Sequence, residues 1–469
     1  MSRILPALLS VILWVSAGKA EVTGGSFDVQ FERTFRGGTT ILAADERFLY
    51  ISDAGADPND KRPEQFARQA EDGTILGYSP LGRQDVIRLL VCKRSTGDIV
   101  HEFAGPVSRR PRVSGFELAL TSSPLLLDDG FVFMTADWHL QRIKLPIAGE
   151  KPKQVWDLDI PTVTKLTPRL NDDIGYLMPA VTRCDDTLLF TFNSAPDGAQ
   201  EALSLTMVAV NLADGKIRWT RTLGPGGALD RSPTCLPLSA GKFAVVTAQG
   251  EVRSYSLAGD LLHTLRPAPD FQSSEPGGHW GGDLWELFRL DSNRVVAYGG
   301  RHAERGKDHS YPLCLLTFDA RGHMEKQWQS SVQLGSIANL AAGANLYQRT
   351  LGAGLTAFSL KTGHKIWAVS DEDSLNCAWV APVVHDGFVY LSTAEGLKVY
   401  RDGPEANLLG TVEFIERSKT NPKSYSNFML SSHSAPIVYG GILYVAASDR
   451  LWALKLPLFP STAPNPKPK

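Results

Sequence analysis

Short runs of alternating apolar and polar residues recur along this chain, and tight turns separate them. In residues 355–367, one such run is followed by the turn residues 361–363 and by a second run that ends in Trp367. Residues 207–219 repeat this order, with Gly215 in the turn and Trp219 four positions after it. Alternation with a period of two predicts β-strands, and glycine allows the backbone of a tight turn. The pattern therefore predicts a chain built from repeated β-hairpins.

A second element, a tight turn followed by an apolar strand, occurs eight times, as in residues 129–134 and 386–391. Several copies follow a strand that begins with proline, and Pro124, Pro179 and Pro233 are 55 and 54 residues apart. Each unit thus supplies four strands, which we call a, b, c and d in chain order. Sheets arranged around an axis cover each other's faces. The sequence therefore predicts an all-β fold, an eight-bladed β-propeller of four-stranded antiparallel blades, with seven blades as the alternative because the fifth and sixth units are the least regular.

The two ends of the chain complement each other. The last unit has strands a, b and c but no strand d, whereas residues 26–35 form a spare strand before the first unit. We expect this N-terminal strand to close the last blade, which removes an exposed sheet edge. The propeller is predicted to span residues 21–457, and the proline- and lysine-rich residues 458–469 to be disordered.

Residues 1–20 have the features of a secretory signal peptide. Arg3 is basic, a mostly apolar stretch follows, and the small residues Gly18 and Ala20 precede the predicted cleavage point. An uncleaved membrane anchor is the alternative, although the apolar stretch is shorter than the ~20 residues of a spanning helix. The sequence therefore predicts a periplasmic or secreted protein with no membrane span in the mature chain.

Three insertions interrupt the repeat between strands b and c, at residues 53–83, 193–202 and 301–311. The long connections from a strand d to the next strand a are residues 161–177, 267–283, 371–376 and 419–426. In an up-and-down sheet both sets of loops leave the same face, and loops on a rigid scaffold often carry function. We expect that face to recognise a partner through residues in or beside these loops, namely Tyr78, His279, Trp280, Arg301, His302 and Trp379.

The composition excludes several classes of function. The 48 basic and 50 acidic residues give a net charge of −2, which favours neither nucleic acid nor an anionic membrane as a partner. The five cysteines are far apart and include no CxxC motif, so zinc or redox chemistry is not indicated. Catalytic motifs such as Gly-x-Ser-x-Gly and His-Glu-x-x-His are absent from the sequence.

Two loop clusters leave metal binding open as an alternative. Asp53, Asp57 and Asp60 could bind calcium, but they lack a complete ligand set and are better explained by a solvated loop. His302 and His309 could bind a metal, but no fixed secondary structure sets their separation, and solvent exposure is the simpler interpretation. No metal is therefore predicted.

The turn-and-tryptophan hairpins resemble the repeat of the pyrroloquinoline-quinone (PQQ) type β-propellers. The hairpins that end in Trp219 and Trp367 match this repeat well, whereas weaker copies end in His263 and Lys326. His101 stands where the Trp of the first unit would be. The resemblance implies a propeller in which Trp219 and Trp367 are structural and dock neighbouring blades.

Among these propellers, the chain looks like the periplasmic propeller subunit of the outer-membrane protein assembly machinery, although no cysteine for a lipid anchor follows the signal peptide. The PQQ-dependent dehydrogenases are also similar. That resemblance implies a quinone held between a Trp and two adjacent disulfide-bonded cysteines, with calcium held by carboxylate and amide side chains. No two cysteines are adjacent in this chain, so neither PQQ nor calcium is expected.

These observations favour a non-enzymatic, monomeric scaffold that binds other proteins of the bacterial cell envelope. A PQQ-dependent dehydrogenase is the enzymatic alternative. Binding of a carbohydrate or small ligand through Trp280, Trp285 and Trp379 is a third interpretation, because indole rings stack on flat groups.

Overall fold

The computed structural model of this chain is an all-β propeller, with eight four-stranded antiparallel blades in a ring and almost no helix. The predicted fold class is therefore confirmed. The predicted signal peptide lies outside the residues that the structure describes. Those residues are 22–23, 28–35, 38–56, 67–69, 75–78, 85–107, 123–135, 138–146, 151–168, 180–195, 203–226, 234–239, 241–247, 249–269, 286–299, 310–333, 339–350, 354–369, 381–393, 396–413, 435–447 and 450–458.

The blades follow one another in the order of the chain, and each is an antiparallel sheet in the order a, b, c, d. The strands of blades 1 to 4 are Gly38–Ala44, Phe48–Ala56, Asp85–Lys93 and Ile99–Val107; Leu125–Leu127, Gly130–Met134, His139–Lys144 and Lys153–Asp159; Thr182–Cys184, Thr187–Ala195, Ser204–Asn211 and Ile217–Pro225; and Leu236–Pro237, Lys242–Val246, Val252–Ser256 and Leu261–Leu265. The strands of blades 5 to 8 are Glu286–Arg289, Arg294–Tyr298, Ser310–Phe318 and Met324–Gln333; Asn339–Ala342, Leu346–Thr350, Gly354–Phe358 and Lys365–Val369; Val383–His385, Phe388–Ser392, Gly396–Arg401 and Leu408–Glu413; and Ile437–Tyr439, Ile442–Ala447, Arg450–Lys455 and Val29–Thr34.

Blade 8 takes its strand d from the start of the chain, as the sequence predicts. Val29–Thr34 pairs antiparallel with Arg450–Lys455. The Arg450 guanidinium lies 3.0 Å from the Glu32 carboxylate across this pair of strands. The N-terminal strand therefore closes the ring and covers what would otherwise be an open edge of blade 8.

The hydrophobic core lies between adjacent blades. All residues of Gly130–Met134 and Thr187–Ala195 are buried, because strand b is covered on both faces. Strand d is the outermost strand, and Leu261–Leu265 contains no buried residue. A typical contact joins blades 1 and 2, where the Tyr50 and Phe131 rings pack edge to face with centroids 5.5 Å apart.

Each blade has a β-bulge in strand d, where one residue has no partner on strand c. In blade 3, Ala209 pairs with Trp219 and Val210 pairs with Ile217, so Arg218 is the bulged residue. We call the first residue after the bulge the docking position. From blade 1 to blade 8, the docking positions are His101, Trp156, Trp219, His263, Trp328, Trp367, Gly410 and Phe31.

Three strand pairings add to the eight blades. Val22–Thr23 pairs with strand d of blade 7 as a fifth strand. Thr167–Pro168 pairs with the end of strand b in blade 3. A separate hairpin joins Ala67–Gln69 to Ile75–Tyr78, and it lies within the insertion of blade 1.

One short helix, Ile160–Thr164, directly follows strand d of blade 2. The Asp159 carboxylate accepts a hydrogen bond from the Thr162 N–H and so caps the N-terminus of the helix. The helix ends at Lys165, whose backbone is left-handed with a φ of 54°.

Candidate functional site

The two tryptophans predicted to dock blades lie between neighbouring blades. The Trp219 indole N–H donates to the Leu257 carbonyl of blade 4 at 2.9 Å, and its ring lies 6.2 Å from the Phe243 ring, centroid to centroid. The Trp367 indole N–H donates to the Gly403 carbonyl of blade 7 at 3.2 Å. Both contacts cross a blade junction, as docking requires. The stability that these contacts supply stays a prediction.

Two further tryptophans make the same kind of contact. The Trp156 indole N–H donates to the Leu212 carbonyl at 3.0 Å, and the Trp328 indole N–H donates to the Leu360 carbonyl at 3.1 Å. The role of Trp328 does not follow from the spacing of the turn glycine, which points to Lys326, two residues earlier. The bulge register is the better signal, since it places all four tryptophans at the docking position.

Glycines beneath these rings explain why the turns between strands c and d need glycine. A Cβ atom on Gly363 would lie 2.5 Å from the Trp328 ring, and one on Gly215 would lie 2.8 Å from the Trp156 ring. Both glycines also have a left-handed φ, of +72° and +71°. Other residues would meet both a steric clash and backbone strain at these positions.

The loops between strands b and c, and those from d to the next a, leave one face of the ring, which we call the b–c face. Among the described strands, those of three blades extend farther than the others toward this face. Strand b has nine residues in blade 1 and in blade 3, as Phe48–Ala56 and Thr187–Ala195, whereas Gly130–Met134 of blade 2 has five. In blade 5, strand c (Ser310–Phe318) also has nine residues. Four additional residues lengthen a strand by about 13 Å, so blades 1, 3 and 5 rise above their neighbours.

These strands change the predicted bounds of the insertions. Asp53–Ala56, Asn193–Ala195 and Ser310–Tyr311 belong to strands rather than to loops. The insertion of blade 1 also contains its own hairpin, in which Tyr78 pairs with Ala67. Tyr78 is therefore on a strand in an insertion of the b–c face. The other five predicted interaction residues, His279, Trp280, Arg301, His302 and Trp379, lie outside the described residues, as does Trp285.

Asp53 is not in a solvated loop. It lies opposite Arg88 in the pairing of strands b and c of blade 1, and each residue is only 2% exposed. The Asp53 carboxylate lies 3.7 Å from the Arg88 guanidinium. The Glu102 carboxylate, on the outermost strand d, lies 3.6 Å from the same guanidinium. The prediction of a solvated loop is therefore wrong for Asp53, whereas Asp57 and Asp60 lie outside the described residues.

A second buried arginine lies between blades 6 and 7. Arg349 is fully buried, and its Nη1 atom donates a hydrogen bond to the Ser392 carbonyl of blade 7. The preceding residue, Gln348, is 2% exposed. This hydrogen bond joins blades 6 and 7 near the b–c face and meets part of the cost of burying the guanidinium.

Arg88 and Arg349 belong to a wider layer of buried polar side chains beneath the b–c face. Several b strands have buried apolar residues near their start, as in Leu49, Phe131 and Phe388, and buried polar residues near their end. Six blades contribute to this polar layer in the second half of strand b or directly after it, with Asp53, Thr135, Asn193, Ser194, Thr247, Gln348, Arg349, Ser392 and Thr393.

Metal and thiol chemistry find little support in the described part of the chain. No group of three or more His, Cys, Asp or Glu side chains could hold a metal ion there. Cys92, Cys184, Cys235 and Cys314 are free and buried. Burial raises the pKa of Cys184 to about 11 and the pKa of Cys92 to about 12, so few of these thiols are ionised at neutral pH. Cys377 lies outside the described residues.

The described residues also contain no helix long and apolar enough to cross a membrane.

Several solved structures have a similar fold. Sqt1 from Saccharomyces cerevisiae, a propeller, matches with a TM-score of 0.50 and 9% identity, over 90% of this chain and 97% of that chain. The computationally designed Ika8 protein has a TM-score of 0.39 and 12% identity, over 71% of this chain and 94% of its own. BamB from Moraxella catarrhalis has a TM-score of 0.36 and 13% identity, over 72% of this chain and 95% of its own. At these identities the likeness to Sqt1 shows the fold alone.

No protein-family model and no curated protein sequence matches the chain.

Proposed function

We propose that this protein is an exported, non-enzymatic propeller scaffold that binds protein partners of the bacterial cell envelope through its b–c face. The observation that carries the proposal is the extension of blades 1, 3 and 5 toward that face, together with the hairpin of blade 1. Raised strands and hairpins on a rigid ring can present main-chain edges and side chains to a partner.

The polar layer beneath this face supports the same proposal. The Asp53–Arg88 pair spans strands b and c of blade 1 directly below the insertion that carries the hairpin. Replacing Arg88 would take this cation away from the buried Asp53 carboxylate, so the pair favours one register of these two strands. A recognition loop that is held in place by rigid strands loses less conformational entropy when it binds a partner.

The proposal can be tested by removing the hairpin without disturbing the blade. Ala56 pairs with Asp85, so residues 57–84 can be replaced by an Asn-Gly turn that continues the same register. We expect the shortened protein to melt within a few degrees of the wild type and to lose partners that are cross-linked to the wild type in envelope preparations. Retention of every partner by the folded variant would contradict a role for this hairpin.

Two further variants provide a second test of the b–c face and a control on the opposite face. In blade 3, Ser194 pairs with Ser204, so replacing residues 196–202 by Asn-Gly shortens a second raised blade of the same face. On the opposite face, Lys361→Glu changes an exposed turn residue. The proposal predicts loss of partners in the blade 3 variant and full retention in the Lys361 variant. Equal losses in all three variants would contradict recognition by the b–c face.

Quinone binding tests the non-enzymatic part of the proposal. The purified protein should be mixed with PQQ and calcium, desalted, and examined by absorption spectroscopy. We expect no quinone absorbance to remain with the protein, because the sequence has no adjacent cysteines to hold it. A retained quinone chromophore would favour the dehydrogenase alternative.

Export is tested separately by fractionating cells that express the full chain. We expect the protein in the periplasmic or secreted fraction, with Glu21 as its first residue after cleavage. A full-length chain in the cytoplasm would contradict the proposed location.

A further inference from the structure

The junction between blades 4 and 5 differs from the four junctions that hold a tryptophan. His263 occupies the docking position of blade 4, directly after the bulge and opposite Ser254 on strand c. Blades 2, 3, 5 and 6 have tryptophan at the same position. The junction therefore has an imidazole where the comparable junctions have an indole.

In the hydrogen bond across this junction, the side chain at the docking position accepts, whereas the tryptophans donate. The Met324 backbone N–H of blade 5 donates to the Nδ1 atom of His263 at 3.2 Å. At the Trp219 junction, by contrast, the indole N–H donates to a backbone carbonyl of the next blade. An indole nitrogen can only donate, whereas an imidazole nitrogen can accept only when it has no proton. The contact between blades 4 and 5 therefore requires a His263 Nδ1 atom that is not protonated.

A second imidazole lies against the first. The rings of His263 and His323 have centroids 4.1 Å apart and are tilted by 44°. His323 belongs to the turn between strands c and d of blade 5, as does Asp319, whose carboxylate accepts hydrogen bonds from the N–H groups of Arg321 and His323. A proton gained by His263 would place its charge directly beside the second ring.

The other polar groups around this junction include two lysines. The Lys326 ammonium of blade 5 donates to the Pro267 carbonyl at 2.7 Å, and the Lys242 chain lies beside Gly322. From blade 4, the Ser254 hydroxyl donates to the Gly322 carbonyl at 2.6 Å. The Asp319 carboxylate of blade 5 is an acidic group that acts on His263. Among these groups, the His323 ring disfavours a positive charge on His263, whereas the Asp319 carboxylate favours one.

We propose that the junction between blades 4 and 5 is an acid-sensitive joint, which loses its hydrogen bond to Met324 when His263 takes up a proton. Burial, and then the neighbouring His323, lower the pKa of His263, while Asp319 acts in the opposite direction. A histidine with a lowered pKa takes up a proton more readily when the junction is open than when it is closed. The closed junction is therefore fully favoured above the ordinary histidine pKa near 6.5, and it is weakened as the pH falls toward the lower value.

Amide hydrogen exchange with mass spectrometry can test this joint in the full mature chain. Exchange in a peptide that covers Met324 should be measured at pH 7.5 and pH 5.0 and corrected for the intrinsic effect of pH on exchange. We expect the corrected exchange of this peptide to rise several-fold at the lower pH. The peptide that covers Leu257 serves as the internal control, and its exchange should change little. The Trp219 indole, which bonds to Leu257, does not take up a proton between these pH values.

The variant His263→Phe keeps an aromatic ring but has no acceptor for the Met324 N–H. We expect its Met324 peptide to exchange rapidly at both pH values, so that the dependence on pH disappears. The proposal would be overturned by a wild-type peptide that exchanges equally at both pH values, or by a variant that keeps the wild-type dependence on pH.

A second measurement uses only the wild type, in case the variant does not fold. Exchange of the imidazole C2 hydrogen of His263 reports its pKa directly. A pKa below that of a histidine in an unfolded peptide would support the joint. A pKa at or above that value would overturn it, because protonation would then not oppose the closed junction.

Discussion

The junctions between consecutive blades and the closure of blade 8 are held by different contacts. At four junctions, one indole N–H donates to a carbonyl of the next blade, as Trp328 does to Leu360 at 3.1 Å. In blade 8, the N-terminal strand adds a backbone ladder, and the Arg450–Glu32 ion pair crosses it at 3.0 Å. The same strand reaches blade 1 through a second ion pair, in which the Arg33 guanidinium lies 2.7 Å from the Asp98 carboxylate.

The difference lies in the length of chain that each contact joins. Trp328 and Leu360 are 32 residues apart, whereas Glu32 and Arg450 are 418 residues apart. Bringing two ends together costs more conformational entropy for a longer loop, although the cost rises slowly with length. A junction between consecutive blades therefore joins segments that are close in sequence, and one indole hydrogen bond supports it. The closure joins distant segments, and a full strand of backbone hydrogen bonds and ion pairs holds it. Replacing one tryptophan should weaken one junction, whereas removing the closing strand should open the ring.

The largest effect is expected from removing the closing strand. A chain that begins at Gly37 lacks Val29–Thr34 and leaves strand c of blade 8 as an open edge. We expect a lower melting temperature and association into larger species, measured by thermal unfolding and size-exclusion chromatography. A chain that begins at Ser26 loses only Val22–Thr23 of the fifth strand on blade 7 and serves as the control, which should behave like the wild type. Equal behaviour of the two truncations would contradict the importance of closure.

The next largest effect is expected at a tryptophan junction. Trp367→Ala should lower the free energy of unfolding by about 3 kcal/mol, at the low end of the range for large aromatic side chains because this indole is half-buried. Trp367→Phe keeps a ring but loses the bond to Gly403, and it should cost about 1 kcal/mol. Urea unfolding measures both values. The exposed neighbour Ile366→Ala is the control, and a similar loss there would show that the docking contact is not the cause.

A smaller effect should separate ring contact from backbone strain. Gly363→Ala places a Cβ atom 2.5 Å from the Trp328 ring at a φ of +72°, whereas Gly250→Ala has a φ of +73° and no atom within 4 Å. Backbone strain alone should cost about 1 kcal/mol in Gly250→Ala, and the displaced ring should raise the loss in Gly363→Ala to about 2 kcal/mol. Equal losses in urea unfolding would show that the ring is free to move aside.

The smallest effect should come from the exposed charges beside the closing strand. Asp98→Asn should cost about 0.5 kcal/mol at pH 7, because exposed ion pairs are screened by water and salt. The Thr96 hydroxyl, and also Arg33, lower the pKa of Asp98, although slight burial opposes this. The contribution of Asp98 is therefore present above the ordinary pKa near 4 and lost as the pH falls through the lower folded value. Urea unfolding at several pH and salt values should show the variant approach the wild type in acid and in high salt. A difference that persists in both conditions would mean that Asp98 acts through something other than its charge.

Much of the fold could be predicted from the sequence, because strands, turns and blade number depend on local patterns. The alternation around Trp219 and Trp367 predicts strands c and d, and the repeated turn and apolar strand, with the proline strand before it, predicts strands a and b. The spare strand at residues 26–35 predicts the closure. The docking role of Trp328 could not be found from its spacing, because it depends on a bulge that only the pairing of strands c and d reveals. The residue that docks a blade onto its neighbour is therefore set by the strand register as well as by the residue type.

The candidate site was harder to predict. An acidic residue at the start of an insertion, such as Asp53, looks like part of a solvated loop when only the sequence is known. Its burial follows from the extension of strand b and from Arg88 on the neighbouring strand. An arginine within an otherwise apolar strand, as in Asp85–Lys93, is the sequence signal that could have indicated a buried ion pair. Five of the six predicted interaction residues lie outside the described residues, so their role stays a prediction.

The closing strand is synthesised long before the strand with which it pairs. Glu32 is made 418 residues before Arg450, the side chain that it pairs with. At a typical 5–20 residues per second, a ribosome needs roughly 20–80 s to cover that distance. Throughout this time the strand that begins at Val29 has no sheet to join, while seven blades can be completed behind it. A chaperone or a growing neighbour chain that meets the protein in this interval would encounter a free β-strand, and two chains that exchange these strands would close each other's rings.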